Sequence, residues 1–207
     1  MHLKKALILS LVSDSPGGDY RDAKNWTDDE LIDKIVEKKD SRLFGVLYDR
    51  YSNKVYNKCI GFTKNQNEAK DLVQDIFLKV FTKLQHYNKV KASFSTWLYV
   101  IVYNHCTNYV TRDKKRWQNT FKESSIKDYG DSGDVIELEE LNGLDEEKFS
   151  EALLKLPPED KALLLLRYQD DVPIKEIQEL LCLNESAVKM RINRAKKKVV
   201  KIYESSR

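Results

Sequence analysis

Apolar residues recur every three or four positions through most of this 207-residue chain, which is the spacing of one face of a helix. The segment NEAKDLVQDIFLKVFTKL shows the pattern along its whole length. Its repeating apolar positions are Ala69, Leu72, Val73, Ile76, Phe77, Val80 and Leu84. No alternating valine- or isoleucine-rich run predicts a strand, and glycine (7) and proline (4) are few. The sequence therefore predicts an all-α protein.

Composition divides the chain into four parts. Residues 1–25 are expected to form an N-terminal tail, and residues 26–117 a helical domain rich in aromatic side chains. Residues 118–148 contain glycine, serine and many carboxylates, which is typical of a flexible linker. Residues 149–207 form a second helical segment. The prediction is two small helical domains joined by an acidic flexible linker.

The formal net charge of +3 conceals an uneven distribution of charge along the chain. Residues 123–147 hold ten carboxylates against one lysine. Residues 184–207 hold eight cations against two carboxylates. Such a block of cations indicates a polyanionic partner for the C-terminal segment.

Three cysteines, Cys59, Cys106 and Cys182, are widely spaced and form no CxxC pair. This argues against a disulfide framework and a zinc site, and it fits a reducing cytosol. The start, MHLKKALILSLVSDSPGG, has a basic residue pair before a short apolar run, so a secretory signal is an alternative to a simple tail. No A-x-A cleavage site follows, and a cytoplasmic location is the expectation. We expect no cofactor.

Residues that begin and end helices in the second domain predict a helix-turn-helix. Pro157 and Pro158 stand at one helix start, and Pro173 opens the next helix, PIKEIQELL. The segment CLN then forms a tight turn in which Asn184 can cap the basic helix that follows. A helix, a three-residue turn and a basic helix together are the form of a DNA-binding helix-turn-helix.

The basic helix has two opposed faces at 100° per residue. Val188, Ile192, Ala195 and Val199 form a narrow apolar stripe that is expected to pack onto the preceding helix. The opposite face consists of Ser186, Lys189, Met190, Asn193, Arg194 and Lys197. That face could lie in a major groove, where Lys or Arg reads guanine, Asn reads adenine and other cations hold phosphates. A solvated basic face is the alternative, but the helix-turn-helix outline favours DNA.

The outward face of the helix NEAKDLVQDIFLKVFTKL carries Asp71, Gln74, Asp75 and Leu78. An apolar residue among carboxylates predicts a docking surface, although one exposed leucine is also normal. A metal site at Glu68, Asp71 and Asp75 is disfavoured, because no histidine or second carboxylate motif accompanies them.

The helix STWLYVIVYNHCTNYV and the loop before it combine aromatic, amide and basic side chains. Its predicted buried residues are Leu98, Ile101, Val102, His105 and Tyr109. Its second stripe consists of Trp97, Asn104, Asn108, Thr111 and Lys115. The loop HYNKVKASF adds Tyr87, Asn88, Lys89, Lys91 and Phe94. Aromatic residues interleaved with lysines predict binding of single-stranded nucleic acid, with core packing as the alternative for Phe94 and Trp97.

Four segments of the sequence resemble extracytoplasmic-function (ECF) sigma factors of bacterial RNA polymerase: LYDRYSNKVYNKC, NEAKDLVQDIFLKVF, FSTWLYVIVYNHCTNYV and LPPEDKALLLLRYQDDVPIKEIQELLCLNESAVKMRINRAKKKV. The resemblance implies a protein without enzyme activity that binds core RNA polymerase and initiates transcription of a specialised regulon. Its DNA partner would be the promoter, recognised at a −35 duplex element and at a melted −10 strand. An anti-sigma factor is a further partner that the resemblance implies.

The resemblance also implies roles for particular residues. Asp71, Gln74, Asp75 and Leu78 match the motif that docks on the polymerase clamp helices. The loop from Tyr87 to Phe94, with Asn104 and Asn108, matches the region that opens the −10 element and captures a flipped base. The C-terminal helix matches the reader of the −35 element.

Two residues depart from the family pattern. Cys182 stands where the family commonly has Gly, so a slightly different turn is expected there, and Asn108 stands where it often has Asp.

Two other functions remain open from the sequence alone. A helix-turn-helix regulator would bind duplex DNA without acting as a polymerase subunit. A helical interaction module would use only the face from Asp71 to Leu78 and would leave the basic C-terminal helix unexplained.

Overall fold

A computed structural model describes residues 22–38, 41–111 and 145–205 of the chain. These residues form helices joined by short connections, and none of them lies in a strand. They fall into two compact units, divided between Cys106 and Thr107 in the last helix of the first unit. The all-α prediction is confirmed. Within the described ranges, no helix is both long enough and apolar enough to cross a bilayer.

The first unit is a helical bundle in which the central helix α2 packs against both α1 and α3. Its helices are α1 (Asp28–Lys38), α2 (Ser41–Thr63), α3 (Gln66–Lys83) and α4 (Phe94–Thr111). Short 3₁₀ turns, Asp22–Asn25 and Leu84–His86, lie before α1 and after α3.

The core of the first unit is the apolar face of α3 predicted from the sequence. All seven predicted apolar residues are buried, six of them on α3 and Leu84 in the 3₁₀ turn that follows. The Phe77 ring lies 4.6 Å from the ring centroid of Tyr48 and 6.2 Å from that of Phe44, both on α2. Cys59 and Cys106 are buried free thiols whose Sγ atoms lie 3.7 Å apart. The two cysteines are 47 residues apart in the sequence, and packing of α4 against α2 brings them together.

Two predictions for the first unit are wrong. The N-terminal tail was expected to extend to residue 25, but Asp22–Asn25 is helical and Ala23 is fully buried. Tyr109 was expected in the core, but it is 44% exposed. Burial along α4 ends at Thr107, so the amphipathic pattern continues about one turn past the part of the helix that the bundle covers.

The second unit is built around its last helix, which packs against the other three. Its helices are α5 (Glu146–Lys155), α6 (Pro158–Leu164), α7 (Ile174–Leu181) and α8 (Glu185–Ser205). A π-helical turn, Leu165–Gln169, continues α6. The predicted stripe of Val188, Ile192, Ala195 and Val199 is buried. Helix α8 contacts the preceding helix α7, as predicted, and it also contacts α5 and α6.

Helix α5 begins inside the predicted linker. The Asp145 side chain accepts a hydrogen bond from the Lys148 backbone N–H at 2.8 Å, which caps the helix. Glu146 and Glu147 occupy the first turn, where carboxylates favourably oppose the helix dipole. The prediction of a linker up to residue 148 is therefore wrong at its end, and its residues 118–144 lie outside the described part of the chain.

The turn between α7 and α8 has the geometry of a left-handed C-cap. Cys182 has φ 53° and ψ 43°, and the Leu183 N–H donates to the Gln178 carbonyl at 3.1 Å. Asn184 then caps α8, because its Oδ1 accepts from the Ala187 N–H at 2.8 Å. The expectation that a cysteine changes this turn is wrong: the left-handed conformation is kept, with the cysteine under steric strain.

Replacing Cys182 with glycine is expected to stabilise the second unit by up to about 1 kcal/mol, because glycine has no Cβ to disfavour positive φ. The greater entropy of glycine in the unfolded chain offsets part of this gain. Cys182→Ala is the matched control, since it removes the thiol and keeps the strain. Thermal unfolding followed by circular dichroism measures both variants. Equal shifts in the two would show that the strain has no measurable cost.

Candidate functional site

The outward face of α3 presents the predicted docking residues. Asp71 is exposed, Gln74 and Asp75 are partly exposed, and Leu78 keeps 40% of its surface open to solvent. The helix is fixed at its start by Asn65, whose side-chain oxygen accepts from the N–H groups of the first turn. Because the opposite face is buried, this surface is held rigidly by the core.

Charged side chains of α3 also influence the pKa of a histidine on the neighbouring helix α4. His105 is partly buried, and burial lowers the pKa of its imidazole below the usual value. The nearby Lys79 lowers it further, and Asp75 opposes the shift. This shift favours the neutral imidazole, in keeping with the predicted place of His105 on the core side of α4.

The loop between α3 and α4 is tied to α1. The Tyr87 hydroxyl donates to Asp29 Oδ1 at 2.9 Å, and Lys89 Nζ lies 3.0 Å from Asp33 Oδ2. The Asn88 side-chain oxygen accepts from the Val90 N–H at 2.9 Å, which closes the loop into a turn. The predicted loop residues are thus brought together on one side of the first unit by α1, which the sequence analysis had not connected to them.

Val90 is a candidate that the sequence analysis missed. It stands at the tip of this loop and is 90% exposed, between Lys89 and the exposed Lys91. An apolar side chain at such a position can insert between bases. The signal available in the sequence was a β-branched residue flanked by two lysines within a predicted loop.

An aromatic cluster supports the base of the loop. The Tyr87, Phe94 and Trp97 rings lie 5.6–5.9 Å apart, and Tyr51 of α2 meets Phe94 at 5.4 Å. Phe94 is only 2% exposed, which favours the alternative of core packing over contact with DNA. Tyr87 and Trp97 remain partly exposed and can stack on bases.

The polar stripe of α4 continues from this cluster. Asn104, Asn108 and Thr111 are partly exposed along the same side of the helix as Trp97. The Thr111 hydroxyl donates to the Thr107 carbonyl at 2.9 Å, so its proton is engaged within the helix. Lys115, the last predicted member, lies outside the described residues.

The predicted DNA-reading face of α8, the side opposite its buried apolar stripe, points away from the core. Ser186, Lys189 and Met190 are exposed, and Asn193, Arg194 and Lys197 are partly exposed. Lys189 pairs with Glu185 one turn earlier, with 2.6 Å between Nζ and Oε1. The Oδ1 of Asn193 is buried and accepts no hydrogen bond within the described ranges.

Other cations of α8 belong to the fold of the second unit. Lys198 pairs with Asp160 of α6 at 2.5 Å, and Lys196 is buried with its ammonium 5.1 Å from the Tyr168 ring centroid. Burial lowers the pKa of Arg191, and Arg194 adds to the shift. Within the described part of the chain, no cluster of histidine, cysteine or carboxylate side chains could hold a metal ion.

Both units match known protein families. Residues 47–116 match Sigma-70 region 2, and residues 146–199 match Sigma-70 region 4. Helix α8 lies in the region 4 match up to residue 199, and the loop and α4 lie in the region 2 match.

Characterised relatives share most of their length with this chain. The RNA polymerase sigma factor YlaC of Bacillus subtilis is 30% identical over 164 residues, which cover 78% of this chain and 92% of YlaC. The ECF sigma factor SigW of the same organism is 27% identical, over 79% of this chain and 90% of SigW. The ECF sigma-E factor of Haemophilus influenzae is also 27% identical, over 86% and 95%.

Solved structures share the fold. CnrH, solved in complex with the cytosolic domain of CnrY, matches with a TM-score of 0.57 at 20% identity, over 87% of this chain and 99% of CnrH. The sigma factor RpoE of Bartonella quintana, solved with the anti-sigma factor NepR, matches with a TM-score of 0.51 at 18% identity, over 79% and 98%. From the two family matches and these relatives, the chain belongs to the extracytoplasmic-function family of RNA polymerase sigma factors.

Proposed function

We propose that the two units divide promoter recognition between them. The first unit binds core RNA polymerase and the melted −10 strand, and the second unit binds the −35 duplex. The observation that carries this proposal is the outer face of α8, where Lys189, Arg194 and Lys197 lie opposite the buried stripe. In a helix-turn-helix, that geometry directs side chains to base edges and phosphates.

Polymerase docking is assigned to Asp71, Gln74, Asp75 and Leu78. These residues share the solvent face of one rigid helix, with an exposed leucine beside carboxylates. Protein interfaces commonly combine an apolar anchor with polar residues at its rim.

Recognition of the −10 strand is assigned to the loop, Trp97 and the amides of α4. Tyr87 and Trp97 offer partly exposed rings, and Lys89 and Lys91 offer charge for the backbone. Val90 joins this set as a residue that can enter the base stack. Asn104 and Asn108 stand one turn apart, where they can hydrogen-bond to an extruded base. Flipping a base costs a few kcal/mol, which such contacts must offset.

An anti-sigma factor is included among the proposed partners, because RpoE was solved with the anti-sigma factor NepR. All these partners act in the cell interior, so the cytoplasm is the proposed location. The role requires no catalysis by the chain itself and no cofactor.

Run-off transcription tests the function directly. Core polymerase is incubated with a genomic fragment library, with and without the full chain. Discrete start sites that require the chain are expected, and aligning their upstream sequences gives both promoter elements. Binding of promoter duplex by the free chain, without any chain-dependent transcript, would instead indicate a helix-turn-helix regulator.

The reading face of α8 is tested by replacing Arg194 or Lys197 with alanine. Each loss of a phosphate contact is expected to lower the slope of log K against log salt by about 0.9, and each loss of a base contact to cost about 1–3 kcal/mol. Binding of the holoenzyme to the −35 fragment found above is measured by fluorescence anisotropy. Lys155→Ala, on α5, is the control and should leave both quantities unchanged. An unaltered affinity together with an unaltered salt slope in both reading-face variants would contradict the assignment.

The docking face is tested by Leu78→Ala. Loss of a buried leucine contact should weaken core polymerase binding by about 1–3 kcal/mol, with little change in stability because the side chain is exposed. Val110→Ala, at 45% exposure on α4, removes a similar amount of apolar surface and is the control. Competition with labelled native chain for core polymerase gives both affinities. Equal effects of the two substitutions would remove Leu78 from the interface.

A further inference from the structure

Three carboxylates near the start of helix α1, Asp28, Asp29 and Asp33, contact other elements of the first unit. Asp28 accepts hydrogen bonds from Arg50 and from the Tyr51 hydroxyl, both on α2. This contact belongs to the core. The other two carboxylates, Asp29 and Asp33, reach the loop between α3 and α4 instead.

Asp29 fixes the position of that loop. Its Oδ1 accepts from the Tyr87 hydroxyl at 2.9 Å across 58 residues of sequence, and the contact is partly buried. The Tyr87 ring also packs on Phe94 and Trp97. Because the loop is held at its first residue, the position of Lys89 two residues later is restricted as well.

Asp33 pairs with Lys89 on the surface. Their charged atoms lie 3.0 Å apart, and both side chains are more than half exposed. The hydrogen bond from Lys89 to Asp33, together with the charge of Asp33, raises the pKa of the Lys89 ammonium. Asp29 adds a smaller contribution in the same direction. Lys89 is thus cationic and already has an anionic partner.

We propose that Asp33 mimics a DNA phosphate in its ion pair with Lys89, so that single-stranded DNA must displace this carboxylate when it binds the loop. Helix α1 then belongs to the −10 site and lowers the affinity of that site for DNA. This inference rests on the proposed role of the loop in binding the melted strand.

The physical basis is competition between two anions for one ammonium. A carboxylate at 3.0 Å neutralises the field of Lys89 near the loop, and its own negative charge repels an approaching phosphate. Exposed ion pairs are weak and exchange readily, so the carboxylate can be replaced. Removing it should therefore strengthen binding of a nucleic-acid strand, and the gain should shrink as salt screens the charges.

The test is a double-mutant cycle on the full chain, with Asp33→Asn, Lys89→Ala and the two combined. The probe is a fluorescein-labelled single-stranded oligonucleotide of random sequence, and its affinity is measured by anisotropy from about 50 to 200 mM salt. All variants carry Arg194→Ala and Lys197→Ala, which reduce binding through α8.

Glu37→Gln is the matched control. Glu37 lies one turn after Asp33 on α1, is 69% exposed compared with 65% for Asp33, and pairs with Lys34 of its own helix rather than with the loop. The Glu37→Gln substitution removes one negative charge from the same helix and leaves the ion pair between Asp33 and Lys89 intact.

Asp33→Asn is expected to tighten binding about two- to fivefold at the lowest salt, the range that an exposed ion pair can supply. Lys89→Ala should weaken binding, and in that background Asp33→Asn should have no more effect than Glu37→Gln. The proposal is overturned if Asp33→Asn and Glu37→Gln act equally in the native-loop background, or if the gain persists without Lys89. If Lys89→Ala itself has no effect, the assignment of the loop fails, and the role of Asp33 fails with it.

Discussion

The apolar contact between α2 and α3 is the constraint on which the first unit depends. Phe77 is almost fully buried, with its ring against Phe44 and Tyr48, and the other apolar residues of α3 are buried along the same face. Once that face is fixed, the 100° step of the helix leaves Asp71, Gln74, Asp75 and Leu78 on the outside. The position of the proposed docking surface is therefore a consequence of core packing.

In the second unit, a buried apolar stripe likewise fixes the orientation of α8, a helix with many more charged residues. Lys196 is buried beside the Tyr168 ring, and the exposed Lys198 pairs with Asp160 of α6. Part of the basic character of this segment thus stabilises the unit and lies outside the predicted DNA-reading face. A count of cations along the sequence overestimates the charge available to DNA, because it treats these lysines like those on the outer face.

Periodic features were predictable from the sequence because they depend on neighbours three and four residues away. The buried faces of α3 and α8 and the Asn184 cap are of this kind. Contacts between distant segments were not predictable. Phe94 is buried by Tyr51, 43 positions earlier in the sequence, and Lys89 meets Asp33 across 56 residues. The start of α5 was missed for another reason: a carboxylate that caps a helix looks the same in sequence as one in an acidic linker.

Two of the lysines that face a proposed DNA partner are already paired with carboxylates of their own unit. Lys89 pairs with Asp33, and Lys189 pairs with Glu185. Each pair must open before its lysine can hold a phosphate, and the cost is the same for every DNA sequence because phosphates carry no sequence information. Internal pairing therefore lowers non-specific affinity without changing the preference among sites. Under the proposed function, discrimination then comes from the groups assigned to bases: Arg194 and Asn193 in the second unit, and Trp97, Asn104 and Asn108 in the first.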